Sequence, residues 1–456
     1  MMGALFYVLC IAGATTAQNI MEEAFAARTG ARLGSMGLNV NLGTGGQRFH
    51  VLVDAGSTGT RLHVFAFRSD AADGNLEFLH ERFLSLEPGL STYAKEPEKV
   101  STVHQHFHNY LCCCCYLADQ PRRHSFIPVQ CVGPLRELLA FAQRHVPPPQ
   151  WSRTPLALLA TAGLRLLPTH RAHALLEQVR REFLHSPFIV NNDSVAIMNG
   201  SDEGFLAWLS INFLKGTLKK PFHESLGILD LGGGSTQICF HTQHKETIHS
   251  APEGFVQLVQ VSGASFTLYC PSYLGLGLMS ARLAVLGGAD SARAENLTNP
   301  CLPKGYNGEW RYGSTSYMLL GPREEERQGG YEACFESMKA LVERKTHRTM
   351  EAPHVHFYAF SYYFDRAMDT SMIEGEAGRN LSIWEFNKKA KETCNQKDPK
   401  HPFLCMDLTY IAVLLLHGFN FASDTIIQIA KKVNSVETGW ALGAALRHLQ
   451  ALDLLT

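Results

Sequence analysis

Charge is what this chain has least of: its 456 residues carry 41 basic and 42 acidic side chains, a net charge of −1, and only 18% are charged, where about 25% is usual. So even a balance excludes the electrostatic footprint of a general nucleic-acid binder, and no nucleic-acid partner is expected. The low charged share excludes long solvated tails. Three catalytic patterns are missing as well. GxxxxGK[ST], HExxH and GxSxG do not occur, so P-loop, zinc-protease and serine-hydrolase mechanisms lack their usual residues. Nor does the body hold a long apolar run. Tyr410 to Leu416 is short and GWALGAALRHLQALDLLT is amphipathic, so the body is expected to be soluble.

What is present is core-forming material. Apolar residues make up 45% of the chain, and its length suits two large domains or three. The stretch from Ala4 to Ala17 is apolar, uncharged and ends in small residues. It is shorter than the roughly 20 residues a bilayer crossing needs and lacks a basic start. Residues 1–17 therefore read either as a cleaved signal peptide or as a shortened membrane anchor. Either directs the chain to the secretory pathway, meaning the Golgi or endoplasmic reticulum lumen or the outside of the cell. Cysteine usage agrees in part. Among 12 cysteines, Cys301/Cys334 and Cys394/Cys405 lie in loop-like stretches and suit two local disulfides, although connectivity is not fixed by one sequence. Cys239 and Cys270 sit in strand-like apolar runs and read as buried thiols. Sequons at Asn192, Asn199, Asn296 and Asn380 are compatible with glycosylation.

Residues 18–47 have no sustained period and read as a linker. From Phe49 the pattern HVLVDAGSTGTRLHVFAF gives two strands joined by a tight loop. Helical periodicity follows over Pro134 to His145 and Thr169 to Phe183, with the strand LALLAT between them. Strands alternating with helices imply an α/β fold. The first pattern returns as LGILDLGGGSTQICF, again an apolar strand, an Asp, a Gly/Ser/Thr turn and a second strand, which suggests two related lobes. One segment fits nothing around it. Residues 104–132 carry four adjacent cysteines, Cys112 to Cys115, preceded by His104, His106 and His108. Four consecutive cysteines make poor tetrahedral geometry for zinc, and the segment reads as an inserted loop or as sequence normally spliced out.

The two glycine loops, DAGSTGT and DLGGGST, put backbone amides and hydroxyls where an anion can approach closely. Either loop alone is equally well a hairpin turn; two, each following a strand that ends in Asp, point to phosphate. Asp54 and Asp230 are candidate ligands of a hard divalent cation, with Asx-turn capping as the alternative. In ATAGLRLLP, Thr161 could hold a metal-bound water, whereas Arg165 reads as structural. In NGSDEGFLAW, Asp202 and Glu203 stand at the start of a helical run, and Asp202 reads as a helix N-terminal charge.

Taken in order and spacing, DAGSTGTRLHVFAF, ATAGLRLLP, SDEGFLAW, LDLGGGSTQ and YAFSYYFD closely resemble the ectonucleoside triphosphate diphosphohydrolases, or apyrases, over about residues 50 to 450. SYLGLGLMSARLA, PFLCMDLTYI and VETGWALGA resemble the soluble, nucleoside-diphosphate-preferring branch. The wider resemblance is to actin, the sugar kinases and the heat-shock chaperone ATPases. It implies two related lobes with the active site in the cleft between them: residues 48–200, residues 201–430, and a segment 431–456 returning to the first lobe. A monomer is expected.

The resemblance also implies roles. Asp54, Thr161 and Asp230 match the family's metal site for Ca2+ or Mg2+. Ser57, Thr58, Gly59 and Thr60 match one phosphate loop, and Gly232, Gly233, Gly234, Ser235 and Thr236 the other. Glu203 matches the general base, with Ser235 and Gln237 orienting the attacking water. Tyr362 and Tyr410 match the aromatics flanking the nucleobase, and the pairs Cys301/Cys334 and Cys394/Cys405 match the branch's disulfides. The expected activity is metal-dependent hydrolysis of nucleoside diphosphates such as UDP and GDP, and of triphosphates less well. A nucleotide-binding protein disabled by the insertion, or a kinase of the related fold, are the alternatives.

Overall fold

The strand that carries Asp54 is buried along nearly its whole length, which is why HVLVD is apolar on both faces rather than alternating. The computed structural model describes residues 46–69, 76–94, 131–261, 263–288, 296–313, 315–325, 330–396 and 398–453. Residues 1–17, nearly all of 18–47 and the segment 104–132 up to residue 130, including Cys112 to Cys115, lie outside the described residues.

The first sheet comprises β1 (Gln47–Ala55), β2 (Thr60–Ser69), β3 (Leu76–Leu86), β4 (Leu156–Ala160) and β5 (Val195–Ile197) in the order β3-β2-β1-β4-β5. β1 and β2 form an antiparallel hairpin, and β4 returns parallel to β1. On one face lie α1 (Val132–His145) and α3 (Thr169–Leu184), one or two residues longer than their periodicity predicts. A single turn, α2 (Ala162–Arg165), follows β4. The central helix α4 (Gly200–Leu214) is capped by Asn199, whose side chain accepts the Ser201 N–H.

The second sheet repeats the plan. Its strands are β6 (Gly227–Leu231), β7 (Ser235–His241), β8 (Val256–Val261), β9 (Ala264–Tyr269), β10 (Ser272–Leu274), β14 (Phe357–Ser361), β15 (Arg379–Ser382) and β16 (Ile426–Ile429). They run β15-β16-β14-β6-β7-β9-β8, with β10 alongside β7. β6 and β7 form the antiparallel hairpin, and β14 and then β16 add in parallel. The order β9-β7-β6-β14-β16 thus reproduces β3-β2-β1-β4-β5, and Asp54 and Asp230 each stand near the end of the first strand of their repeat. Three further strands, β11 (Asn296–Thr298), β12 (Asn307–Tyr312) and β13 (Thr315–Leu320), form a small sheet of their own, and β17 (Lys432–Val433) and β18 (Val436–Glu437) pair as a two-stranded one.

Between the sheets sit α4 and the last helix described, Ala441–Asp453. Leu52 and Phe65 from the first sheet, Phe205 and Trp208 from α4, Ile228 and Phe360 from the second sheet, and Leu442 and Leu449 from the last helix form one buried cluster. The two helices approach so closely that a Cβ on Gly443 would lie 2.1 Å from the Leu206 carbonyl oxygen. The Gly443 N–H donates to Ser210 Oγ at 2.8 Å. On β1, His50 Nε2 lies 3.0 Å from His448 Nδ1 of the last helix. Burial holds both imidazoles below their usual pKa, His448 at about 4. Among the described residues no helix is long and apolar enough to cross a membrane.

Cys301 is bonded to Cys334 and Cys394 to Cys405. The reading of Cys239 and Cys270 as buried thiols is corrected, because they form a third disulfide. The reason is register. Phe240 pairs with Tyr269 and Gln237 with Ser272 on adjoining antiparallel strands, which sets Cys239 directly opposite Cys270.

Peptide mapping of unreduced protein should recover all three cross-links. Changing Cys301 and Cys334 together to Ala releases a loop with a sequence separation of 33 and should cost about 2–4 kcal/mol in equilibrium unfolding. A loss well under 1 kcal/mol would mean that this bridge does not hold the second lobe.

Candidate active site

The two glycine loops meet. Residues 56–59 link β1 to β2 and residues 232–234 link β6 to β7, and glycine lets them come into contact. A Cβ on Gly233 would lie 2.5 Å from Ser57 Oγ, and one on Gly163, in α2, 2.8 Å from Ser57 Cα. Around this junction opens a cleft of about 560 Å³. Asp54, Ser57, Thr58, Thr161, Glu203, Asp230, Gly232, Gly233, Gly234 and Ser235 line its inner end.

Three carboxylates of this end, Asp54, Glu203 and Asp230, are each at most 8% exposed. Asp54 Oδ2 accepts from Arg61 at 3.1 Å, while its Oδ1 is buried with no partner. Burial raises the Asp54 pKa against the pull of Arg61. Asp230 Oδ1 accepts from Ser361 Oγ at 2.7 Å, and burial raises this carboxyl to about 6. Thr161 begins α2 with its N–H bonded to the Ala55 carbonyl at 3.2 Å, so the chain after β4 is tied to the end of β1.

Glu203 stands in the first turn of α4. Its Oε2 accepts from Arg165 at 2.6 Å and from Gln237 Nε2 at 3.1 Å. Ser235 Oγ accepts from the same two groups, at 3.1 Å from Arg165 and 2.9 Å from Gln237. Gln237 Oε1 is buried and unpartnered. Burial pushes Glu203 up to about 7; Arg165 pulls it down, and Asp230 and Asp54 push it up.

These residues fit a hard divalent cation. Two buried carboxylates with raised pKa, Asp54 with an orphaned oxygen and Asp230 without an ion-pair partner among the described residues, form an oxygen donor set with one positive charge, Arg61, for two acids. A pair of carboxylates that leaves further positions to water and phosphate oxygens is the usual setting for Mg2+, and Ca2+ also takes oxygen ligands.

The sequence pattern of the GDA1/CD39 (nucleoside phosphatase) family matches residues 42–111 and 124–455. The chain belongs to this family. Among relatives of this GDA1/CD39 chain, ectonucleoside triphosphate diphosphohydrolase 6 of Mus musculus is 43% identical over 410 residues, 89% of this chain and 82% of its own length. Nucleoside diphosphate phosphatase ENTPD5 of Homo sapiens is 40% identical over 462 residues, covering 99% of this chain and 98% of its own. The crystal structure of nucleoside triphosphate hydrolases from Neospora caninum superimposes with a TM-score of 0.59 at 15% identity, over 98% of this chain and 97% of that one, and so shares the fold. The unmatched stretch 112–123 falls inside the atypical segment 104–132.

Not every residue named for this nucleoside phosphatase site lies on the cleft. Tyr410 is corrected: it is 1% exposed in the helix Leu404–Val413, and its hydroxyl donates to the Leu276 carbonyl. That helix is buried on all sides, so its aromatic fills core. Thr236 is corrected too, being fully buried with Oγ1 donating to the Asp230 carbonyl at 2.7 Å. Gly59 and Thr60 stand behind the lining, where Thr60 pairs with Leu86 of β3. Tyr362 does line the cleft, with the Arg366 guanidinium 5.5 Å from its ring. Residues that the sequence reading missed line it as well: Arg61, Phe83, Ser361, Arg366, Lys431 and Trp440. Arg165 was read as structural, yet it is the cation on Glu203. Its signal was a lone charge in the apolar word ATAGLRLLP.

Gly163→Ala would drive a methyl against the backbone of Ser57. Its KM for a nucleoside diphosphate should rise about tenfold or more, with little change in melting temperature. An unchanged KM would show that the first loop does not hold phosphate.

Proposed function

We propose that this chain hydrolyses nucleoside diphosphates, UDP and GDP among them and triphosphates less well, to nucleoside monophosphate and inorganic phosphate. The reaction depends on Ca2+ or Mg2+ and takes place in the lumen of the secretory pathway or outside the cell. The names of the relatives, nucleoside diphosphate phosphatase and ectonucleoside triphosphate diphosphohydrolase, support this reading. The observation that carries it is the pair Glu203 and Ser235 on the cleft beside the two glycine loops, with Gln237 hydrogen-bonded to both from behind the lining.

Asp54 and Asp230, with Thr161 beside them, would hold the cation. When bound, it would neutralise charge on the phosphates and bring them into line. The chain's own residues do the rest. Backbone N–H groups of residues 56–58, 233 and 234 are the proposed donors to phosphate oxygens, whereas the Gly232 N–H is already bonded to the Ser235 carbonyl. Gln237 Oε1 is a buried acceptor without a partner. A water that donates one proton to it and the other to Glu203 points a lone pair away from both, toward a terminal phosphate held by the loops. With a pKa of about 7, Glu203 is close to the optimum for a base at neutral pH and takes the proton as the P–O bond breaks. The water attacks directly, so no phosphoenzyme forms. The departing monophosphate needs no proton donor, because its oxygen leaves as part of an already acidic group. Tyr362, which lines the cleft, is the aromatic that supports a nucleoside site.

Glu203→Gln should lower kcat for UDP about 10²–10⁴-fold while nucleotide still binds. Wild-type turnover in this variant would remove the base. Chelation of divalent ions should abolish turnover in the unmodified protein.

The pH dependence has a defined sign. Only the carboxylate accepts a proton, so kcat/KM should rise with pH through about 7 and level off above. Arg165 favours the ionised form, so Arg165→Ala should move this acid limb upward by about one to three pH units. A limb that stays in place would mean that Arg165 does not set the basicity of Glu203.

A further inference from the structure

The third disulfide lies directly beneath the proposed base. Cys239 is two residues along β7 from Gln237, and Cys270 is two residues from Ser272, whose Oγ accepts from Gln237 Nε2 at 2.9 Å. Both sulfurs are fully buried. The first turn of α4 rests on this bridge. Cys270 Sγ lies 3.6 Å from the Ser201 carbonyl oxygen. A Cβ on Gly204 would lie 2.8 Å from Cys270 Sγ, 3.5 Å from Gln237 Cβ and 3.6 Å from Cys239 Cβ. One turn earlier, a Cβ on Gly200 would lie 2.6 Å from Ser272 Cβ. Residues four apart share a helix face. Gly200 and Gly204 therefore form a bare strip that seats α4 on Cys270 and Ser272, with Glu203 beside it. Alanine is the better helix former at an interior position, so glycine at 204 answers to the sulfur and not to the helix.

We infer that Cys239 and Cys270 are positioning residues for the reaction: their bridge is the seat that fixes Glu203, and with it Gln237, at the attacking water. This rests on the reading of Glu203 as the base. Unbonded sulfurs would separate to van der Waals distance, and within this packing they can do so only by lifting the first turn of α4 or shifting β7. Displacement of a catalytic group by about 1 Å can cost about 10²-fold in rate.

The test is a size exchange across the seat, with UDP hydrolysis in the full chain measured well below each variant's melting temperature. Cys239→Ala/Cys270→Ala removes the seat, Gly204→Ala presses a methyl against it, and the triple variant puts that methyl where the sulfur was. The first two should each lower kcat about 10- to 100-fold with KM within about twofold. The triple variant should lose much less than the product of the two losses, because the sites are coupled through one contact. A purely structural bridge would lower the melting temperature and leave kcat unchanged. Wild-type kcat in the double cysteine variant, or losses that simply multiply in the triple variant, would overturn the inference. Should the double cysteine variant fail to fold, Gly204→Ala decides alone: it keeps the bridge, and unchanged kcat in it overturns the seat. Glu203→Gln runs alongside. Turnover retained there sinks the base itself, whereas a dead Glu203→Gln with fully active cysteine and glycine variants sinks only the seat.

Discussion

Burial of three acids in one cleft is the constraint on which the rest of this molecule depends. Asp54, Asp230 and Glu203 share one cleft with little water to screen them, and each is pushed toward its protonated form. Such a cluster is stable only because other parts of the fold supply opposite charge or hydrogen bonds. Arg61 from β2 serves Asp54, Ser361 from the end of β14 serves Asp230, and Arg165 from α2 serves Glu203. Asp54 and Glu203 each hold one arginine, whereas Asp230 has only the Ser361 hydroxyl. A cation between the aspartates would supply the charge that Asp230 lacks, and a pKa raised to about 7 suits Glu203 to the base role proposed for it.

The repeated sheet plan explains how such a cluster can be built. In each half an antiparallel hairpin turns just after an aspartate-bearing strand, and a parallel strand returns beside it. Placing two copies face to face brings the two turns together, and Gly163 and Gly233 remove the side chains that would keep them apart. α4 lies in the seam and carries Glu203 to the junction from a third direction. The nucleotide chemistry proposed for the cleft therefore depends on packing between the halves as much as on either loop.

Much of this was legible in the residues. The run HVLVD, its echo LGILDL and the glycine turns after them prescribe both hairpins, because apolar strands and glycine turns are local properties. The choice of Glu203 as the proposed base came only through resemblance, since nothing in SDEG distinguishes it from Asp202. Tyr410 misled because an aromatic in an apolar helix reads alike whether it faces a ligand or core, and only the packing around Leu404–Val413 decides. The partnership of Cys239 with Cys270 depends on strand register between β7 and β9, which no spacing reveals. The role of Arg165 escapes the sequence because its partner is 38 residues away on another helix.

The hydrogen bond between His50 and His448 joins positions 398 residues apart. During synthesis on a ribosome, the opening strand would be exposed long before the helix that covers it exists. The early half must then wait, half-clothed, for its last layer, and a nascent chain cut short before that helix would leave part of this apolar cluster uncovered.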